Sequence, residues 1–584
     1  MNLFMETGYL DKTTGHTKIY FRGIGMMSVW GFISIAFLFI GMQSAAYGFE
    51  PVFARNGMAA GPEPLAVQAG VEMLQQGGNA FDAAAVIGFA LAVTYPAAGN
   101  LGGGGFMTAW TKDGDPLFLD FRETAPQAAK RDMFLDEKGN LVVGQSTTSL
   151  LAAGVPGTVH GLFQIFQKYG TKNREDILAP AIRLAREGFP VSYSLHRSLL
   201  ANHKYLTRFA STAAVFYPNG KTPAFGSVLK QPDLAWTLSQ LSQSGPDAFY
   251  QGEIAEKLAR FMEQNGGLIT REDLAAYKSK FRPPVIIAYK NYSLIAPGLP
   301  SSGGIALAQM LNLLEPLPLQ KMGYHSAEYI HSLVEAERLA FADRNYFLGD
   351  SDFVEVPVDR LVSDAYLEER RRLIPGWYAG KSEGVSHGNP ESHETTHFCV
   401  VDREHNVVAV TYTLNGSYGM GGVVAGTGFL LNNEMDDFSA KPGSSNLFGL
   451  IQYEANAIAP GKRMLSSMTP LIVLRNGKFA FTVGTPGGPT IITTNLQIFL
   501  NMAEWGMNIR EAIDARRFHH QWLPDRIQFE RFALSPDTLL HLSGRGYTLQ
   551  QVNSIGCAAG IQTMEDGLLA GYADGRGEGL AAGY

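Results

Sequence analysis

Two cysteines in 584 residues make no disulfide framework, so Cys399 and Cys557 cannot staple this fold. Charge is also scarce. Asp, Glu, Lys and Arg make up 17% of the chain and sum to −7, with no basic run of the kind a nucleic-acid partner needs. No long Ser/Gly/Pro linker and no internal repeat divides the chain. Two nucleotide-binding patterns fail as well. Gly484-Thr485-Pro486-Gly487-Gly488 lacks the Lys-Ser/Thr of a phosphate loop, and Met107 stands where a dinucleotide motif beginning in Gly102 to Gly105 needs its third glycine. That second run reads as a tight structural turn. What remains is 46% hydrophobic, an ordinary globular composition with ample material for a large core.

The first residues read as a leader. Lys12, Lys18 and Arg22 precede an uncharged stretch from Gly23 to Phe49, and Ser44-Ala45-Ala46 offers small residues for a cleavage site. Residues 1–48 are therefore expected to be a secretory signal, or a single-span anchor if uncut. Either places the body outside the cytoplasm, in the periplasm or beyond.

In the body, Glu63 to Gln76 is an amphipathic run stopped by Gly77-Gly78, and Phe81 to Ala92 is apolar nearly all round, which predicts a buried helix. Ala327 to Phe347 carries an apolar stripe of Ile330, Leu333, Val334, Leu339 and Ala340 beside Glu335, Glu337 and Arg338. Beyond residue 395 the pattern turns to strands, with Lys478 to Val483 among them, before Thr490 to Ala503 returns to helix. The class is α and β in layers.

His393-Glu394-Thr395-Thr396-His397 can be read in two ways. As H-E-x-x-H it matches a zinc-peptidase motif, which needs a helix to bring both histidines to one metal. The flanks oppose a helix: Gly384 to Pro390 has loop composition. Phe398 to Val401 and Val407 to Thr413 form β-branched, aromatic runs around the polar Asp402 to Asn406, a hairpin signature. On a strand His393 and His397 would stand about 13 Å apart, at roughly 3.3 Å per residue, too far for one zinc. The other reading is a cut before Thr395. It frees an N-terminal threonine whose own amine serves as base. A turn centred on Glu404 pairs Val401 with Val407, Cys399 with Ala409 and His397 with Thr411, so Thr395 faces Thr413.

Several stretches together resemble the gamma-glutamyltranspeptidase family of N-terminal-nucleophile hydrolases. They run from Gly77-Gly78-Asn79-Ala80-Phe81-Asp82 and Leu119-Asp120-Phe121-Arg122-Glu123 through Glu394-Thr395-Thr396-His397-Phe398. Leu431 to Ser439, Leu465 to Pro470 and Gly484 to Gly488 continue the series, in the family's order from about Arg55 to the C-terminus. The resemblance implies a four-layer α/β/β/α sandwich (α+β) built from two fragments of one self-cleaved chain, 49–394 and 395–584. It implies transfer of a γ-glutamyl group from glutathione or related amides to water, an amino acid or a peptide, with no cofactor or metal. Thr395 would be the nucleophile, Thr413 its hydroxyl partner, and Gly487 with Gly488 the oxyanion hole. Arg122, Asn415, Glu434, Asp437, Ser466 and Ser467 would hold the glutamyl moiety.

The chemistry of those residue types agrees. A γ-glutamyl group presents a carboxylate and an ammonium, so its site needs a cation such as Arg122 and anions such as Asp437 and Glu434. Glycines between the 478–483 strand and the 490–503 helix let N–H groups converge at a helix N-terminus. Phe448 departs from the tyrosine of many bacterial relatives in the loop 442–450. It lacks the hydroxyl that would latch that loop to Asn415. A glutaryl-cephalosporin acylase is the rival within the family, but a glutaryl group has no ammonium for Asp437. A non-catalytic binding protein on the same scaffold is the rival outside it. His519-His520 diverge on any regular backbone and are expected to be structural.

Overall fold

Alternating and continuous β-branched runs need two faces to bury, and the chain supplies them with two stacked sheets. The computed structural model describes residues 50–382 and 395–584. The leader (1–48), the loop 383–394 and His393-Glu394 lie outside those residues. The strands that matter are β1 (Val52–Ala54), β2 (Met58–Gly61), β3 (Gly104–Trp110), β4 (Pro116–Asp120), β5 (Lys280–Arg282), β6 (Val285–Tyr289) and β7 (Tyr292–Ala296). After the loop come β8 (Thr396–Val401), β9 (Val407–Thr413), β10 (Leu471–Arg475), β11 (Lys478–Gly484), β12 (Ala559–Thr563), β13 (Leu569–Ala573) and β14 (Leu580–Gly583). One seven-stranded sheet runs β14-β2-β8-β9-β3-β4-β5, the other β1-β13-β12-β11-β10-β7-β6, and every pairing is antiparallel.

Cys399, Val401, Val407 and Ala409 from one sheet meet Ile295, Ile472 and Ile561 from the other in a shared apolar layer. Helices cover both outer faces. On the first sheet lie α1 (Pro64–Gln75) and α2 (Ala80–Thr94); on the second lie α3 (Gly303–Leu314), α4 (Ala327–Phe347) and α5 (Thr490–Ala503). This is the four-layer α/β/β/α sandwich. Because β2 pairs with both β14 and β8, and β9 pairs with β3, the segments before and after the loop share one sheet. Sheet hydrogen bonds, rather than a surface contact, join them.

Local chemistry sets the element ends. Gly77, at φ +82, follows α1, and its N–H donates to Leu74 O. Asn79 and Asp82 close a capping box on α2, all of whose 15 residues are buried. Small residues permit that burial: a Cβ on Gly70 would stand 2.5 Å from Ile87. Two expectations need correction. Gly102 to Gly105 is not a turn, since none of the four has a positive φ and Gly104 opens β3. Its glycines are demanded by close backbone approach, a Cβ on Gly103 meeting Thr413 O at 2.1 Å. And α4 is not half-exposed beside its apolar stripe. Glu335, Glu337, Arg338, Asp343 and Arg344 are buried too, because the helix runs beneath loops that supply polar partners.

Candidate active site

The hairpin register is as the turn centred on Glu404 requires: His397 pairs with Thr411, Cys399 with Ala409 and Val401 with Val407. β8 and β9 are the third and fourth strands of seven, so Thr395, one residue before β8, enters the centre of the sheet. Thr395 and Thr413 line one narrow cavity, with Arg122, Asn415, Asp437, Ser466, Ser467 and Gly488. His397, the second histidine of the pentad, is on a strand, as the hairpin reading requires. Its Nδ1 is 2.8 Å from Thr411 Oγ1, and burial pushes its pKa down to about 3, so it stays neutral.

Asn415 sits just past the end of β9 at φ +76, a left-handed conformation that asparagine tolerates better than most residues. Its N–H donates to Thr413 Oγ1 (2.9 Å), and its Nδ2 to Asn433 O (3.1 Å). Acceptance of that N–H leaves the Thr413 hydroxyl proton to be directed elsewhere.

Glu434–Asp437 forms one 3₁₀ turn, and side chains three apart on such a turn eclipse. Glu434 and Asp437 therefore face the same way, toward Arg122: Glu434 Oε2 is 2.6 Å from Nη1, and Asp437 Oδ2 accepts from Nη2 at 2.5 Å. The Glu434 contact lies off the N–H axis and is electrostatic rather than a directed hydrogen bond. Asp436, between them, points away and accepts from Ser146 Oγ (2.6 Å) and Leu447 N (2.7 Å). Glu434 and Gly487 stand behind the cavity wall rather than on it.

Sequence reasoning missed the third carboxylate. Glu123 lies 3.7 Å from Arg122 Nη1, fully buried, with neither oxygen hydrogen-bonded. Burial raises its pKa to about 7, and burial likewise raises Glu434 and Asp437 above the ordinary carboxylate range. Burial opposes the Arg122 charge, but Glu434, Asp437 and Glu123 together hold its pKa above the usual value. It also missed Arg344, which lines the cavity from α4. The sequence signal was the run Asp343-Arg344-Asn345 near the end of α4, easily taken for a solvated face.

Just before α5, Gly487 has φ +138 and Gly488, on the cavity wall, φ +55. Their carbonyls accept from Thr490 N and Ile491 N as α5 begins, while their own N–H groups donate to nothing among the described residues. A Cβ on Gly487 would lie 2.3 Å from Thr490 Oγ1. Two unspent amides at a helix N-terminus suit a developing oxyanion.

The loop over the cavity is closed without a tyrosine hydroxyl. Asn446 Oδ1 accepts from Phe448 N and Leu450 N, and its Nδ2 donates to Asp437 Oδ1 (3.0 Å). Gln521 Nε2 donates to Phe448 O (3.2 Å), and the Phe448 ring is buried on the cavity. The side-chain amides of Asn446 and Gln521 thus take the place of the latch that Phe448 lacks. His519 and His520 are buried and bonded to Thr493 and Asp525. Among the described residues no group of three His, Cys, Asp or Glu could hold a metal.

Comparison with known proteins matches residues 66–584 to the family described as gamma-glutamyltranspeptidase. The glutathione hydrolase proenzyme of Escherichia coli (strain K12) is 46% identical over 541 residues, 92% of this chain and 93% of its own length. That of Pseudomonas sp. (strain A14) is 48% identical over 491 residues, 84% of this chain and 85% of its own. Among solved structures, the cephalosporin acylase from Bacillus halodurans has a TM-score of 0.81 at 28% identity, covering 91% of this chain and 97% of that one.

Proposed function

The chain belongs to the gamma-glutamyltranspeptidase family, and we propose that Thr395 is the nucleophile through which it works. It is a self-processing γ-glutamyl-transferring enzyme and glutathione hydrolase. The observation that carries the residue assignment is the single cavity in which Thr395 meets a guanidinium, a carboxylate and a glycine amide.

Activation is a change of nitrogen chemistry. While residue 394 is attached, the Thr395 nitrogen is an amide and cannot act as a base. The Thr395 hydroxyl attacks the preceding carbonyl, the peptide becomes an ester, and water releases it. The freed α-amine has a reference pKa of about 7.7–8.0, matched to general-base work near neutrality. In turnover that amine takes the Thr395 hydroxyl proton as the oxygen attacks the γ-carbonyl, then passes it to the departing amine. The oxyanion forms against the Gly487 and Gly488 amides, each such donor contributing about 2.7–4 kcal/mol. Water or an acceptor amine then resolves the γ-glutamyl ester.

The ends of the donor are told apart by charge. Arg122 commits at most three of its five N–H groups, to Met464 O, Asp437 and Glu434, leaving donors for the α-carboxylate beside Ser466 and Ser467. Asp437, the most exposed of the three carboxylates at 11%, takes the α-ammonium beside Asn415, with Glu434 behind it against Arg122. A glutaryl group would bring no charge to Asp437, which favours γ-glutamyl over glutaryl donors.

The fragments 49–394 and 395–584 remain one particle after the cut, a reading that the shared sheet supports. Export through the 1–48 leader belongs to the same proposal. Intact mass with N-terminal sequencing tests it: two fragments are expected, the smaller beginning at Thr395. An uncut chain that hydrolyses glutathione would overturn it.

A further inference from the structure

Arg344 is the one guanidinium lining the cavity whose hydrogen-bond partners among the described residues are all neutral. Its Nε donates to Ser302 Oγ (3.2 Å), Nη1 to Asn345 Oδ1 (3.0 Å) and Gln452 Oε1 (3.4 Å), and Nη2 to Ser467 Oγ (3.2 Å). Arg122, by contrast, has three carboxyl groups within 3.7 Å. A buried cation without a carboxylate is costly unless an anion arrives. Arg344 is only 2% exposed, and burial pushes its pKa down to about 10, with Asp437 pulling the other way; it stays charged at neutral pH.

Its hydrogen bond also sets a direction. Ser467 Oγ accepts from Arg344, so the Ser467 hydroxyl proton is free to donate, and the side chain lines the cavity. Ser466 Oγ accepts from Met468 N (3.1 Å) and is turned into a donor in the same way. Ser302 Oγ, which holds Arg344 Nε, donates to Ser466 O (2.7 Å), tying the guanidinium to the serine loop. Both serines thus present O–H groups toward an anion, beside a positive charge that no carboxylate pairs directly among the described residues.

We propose that Arg344 is a positioning and specificity-determining residue for the donor's α-carboxylate: it fixes Ser467 as a hydrogen-bond donor and supplies the positive charge that Arg122, already shared among carboxylates, does not. The inference rests on the γ-glutamyl reading above. It assigns Arg344 no contact with the reacting carbonyl and no part in self-cleavage.

The test compares γ-glutamyl-p-nitroanilide with the same donor carrying an α-carboxamide, in wild type, Arg344→Gln, Arg344→Lys and Ser467→Ala. Arg344→Gln is expected to raise KM for the carboxylate donor at least 30-fold and to change kcat less than threefold. It should leave kcat/KM for the carboxamide donor within twofold. Arg344→Lys, which keeps the charge, should raise KM severalfold for the carboxylate donor alone, and it carries the test if Arg344→Gln does not accumulate as cleaved protein. In the Ser467→Ala background Arg344→Gln should add much less than it does alone. Equal losses on both donors, or independent effects of the two substitutions, would overturn the assignment and mark Arg344 as scaffold. A cleaved wild-type enzyme inert to both donors would instead sink the γ-glutamyl reading itself.

Discussion

Asp437 Oδ2 lies 2.5 Å from Arg122 Nη2, and Asp437 is also held by Asn446 Nδ2 at 3.0 Å. One carboxylate therefore links the guanidinium, the covering loop and the cavity. Asp437→Asn keeps the shape and removes the charge. Loss of a hydrogen bond to a charged group costs about 1.5–3 kcal/mol. KM for γ-glutamyl donors is expected to rise roughly 10- to 150-fold by that figure, and glutaryl donors should respond far less. Parallel kinetics on the two donors decide this, and equal effects would remove Asp437 from its assigned role.

Thr395→Ala leaves no hydroxyl to attack the preceding carbonyl and none to attack substrate. The variant should run as one uncut chain with activity down more than about 10³-fold, while Thr395→Ser should still cut. A denaturing gel with intact mass reads both. Cleavage of the alanine variant at the same bond would end the self-processing mechanism.

The Glu123 carboxyl, with both oxygens unbonded, makes stability depend on pH. Burial raises its folded pKa from the model-peptide 4.5 to about 7. The folded state binds the proton more tightly, so this contribution is complete below 4.5 and is lost as pH rises through about 7. Glu123→Gln makes the neutral form permanent. Tm of the wild type should fall more steeply between pH 5 and pH 8 than that of the variant, and parallel curves would refute the assignment.

Loop closure by side-chain amides rather than by a hydroxyl predicts an asymmetry. Phe448→Tyr should leave kcat/KM within about twofold. Asn446→Ala loses three hydrogen bonds and, at about 1 kcal/mol for even one or two of them, should lower kcat/KM about tenfold. Steady-state kinetics on one donor compares them; a large gain from the tyrosine would show that the hydroxyl latch matters here.

Gly488→Ala places a Cβ at φ +55, a left-handed conformation costing about 1–2 kcal/mol for a residue other than glycine. Displacement of its amide from the oxyanion should show in kcat, by tenfold or more, with KM little changed. A change confined to KM would mean that Gly488 binds substrate and does not stabilise the transition state.

Much of this was legible in the residues. Period and composition located α1, α2, α4 and α5, and the polar gap between two β-branched runs placed the β8–β9 turn and its register. Motif order supported the family and, through it, the nucleophile. The miss on α4 has a plain cause: an apolar stripe reports which side faces the core, but not whether a loop covers the other side. Glu337 and Arg344 look like a solvated face until His520 meets the first and Ser302, Gln452 and Ser467 the second. Gly102 and Gly103 misled for a related reason, since a glycine demanded by a neighbouring carbonyl reads the same as one demanded by a turn.

The sequence by itself thus determined the local matters: hydrophobic period, turn chemistry, and which amide would become the catalytic amine, because each depends on residues a few positions apart. Only the tertiary structure decided that Arg122 lies among three carboxyl groups while Arg344 pairs with none, and that the side-chain amides of Asn446 and Gln521 close the loop over Phe448. Those are balances of charge and hydrogen bonding between groups up to about three hundred positions apart, and burial, which exists only once the layers close, sets their strength.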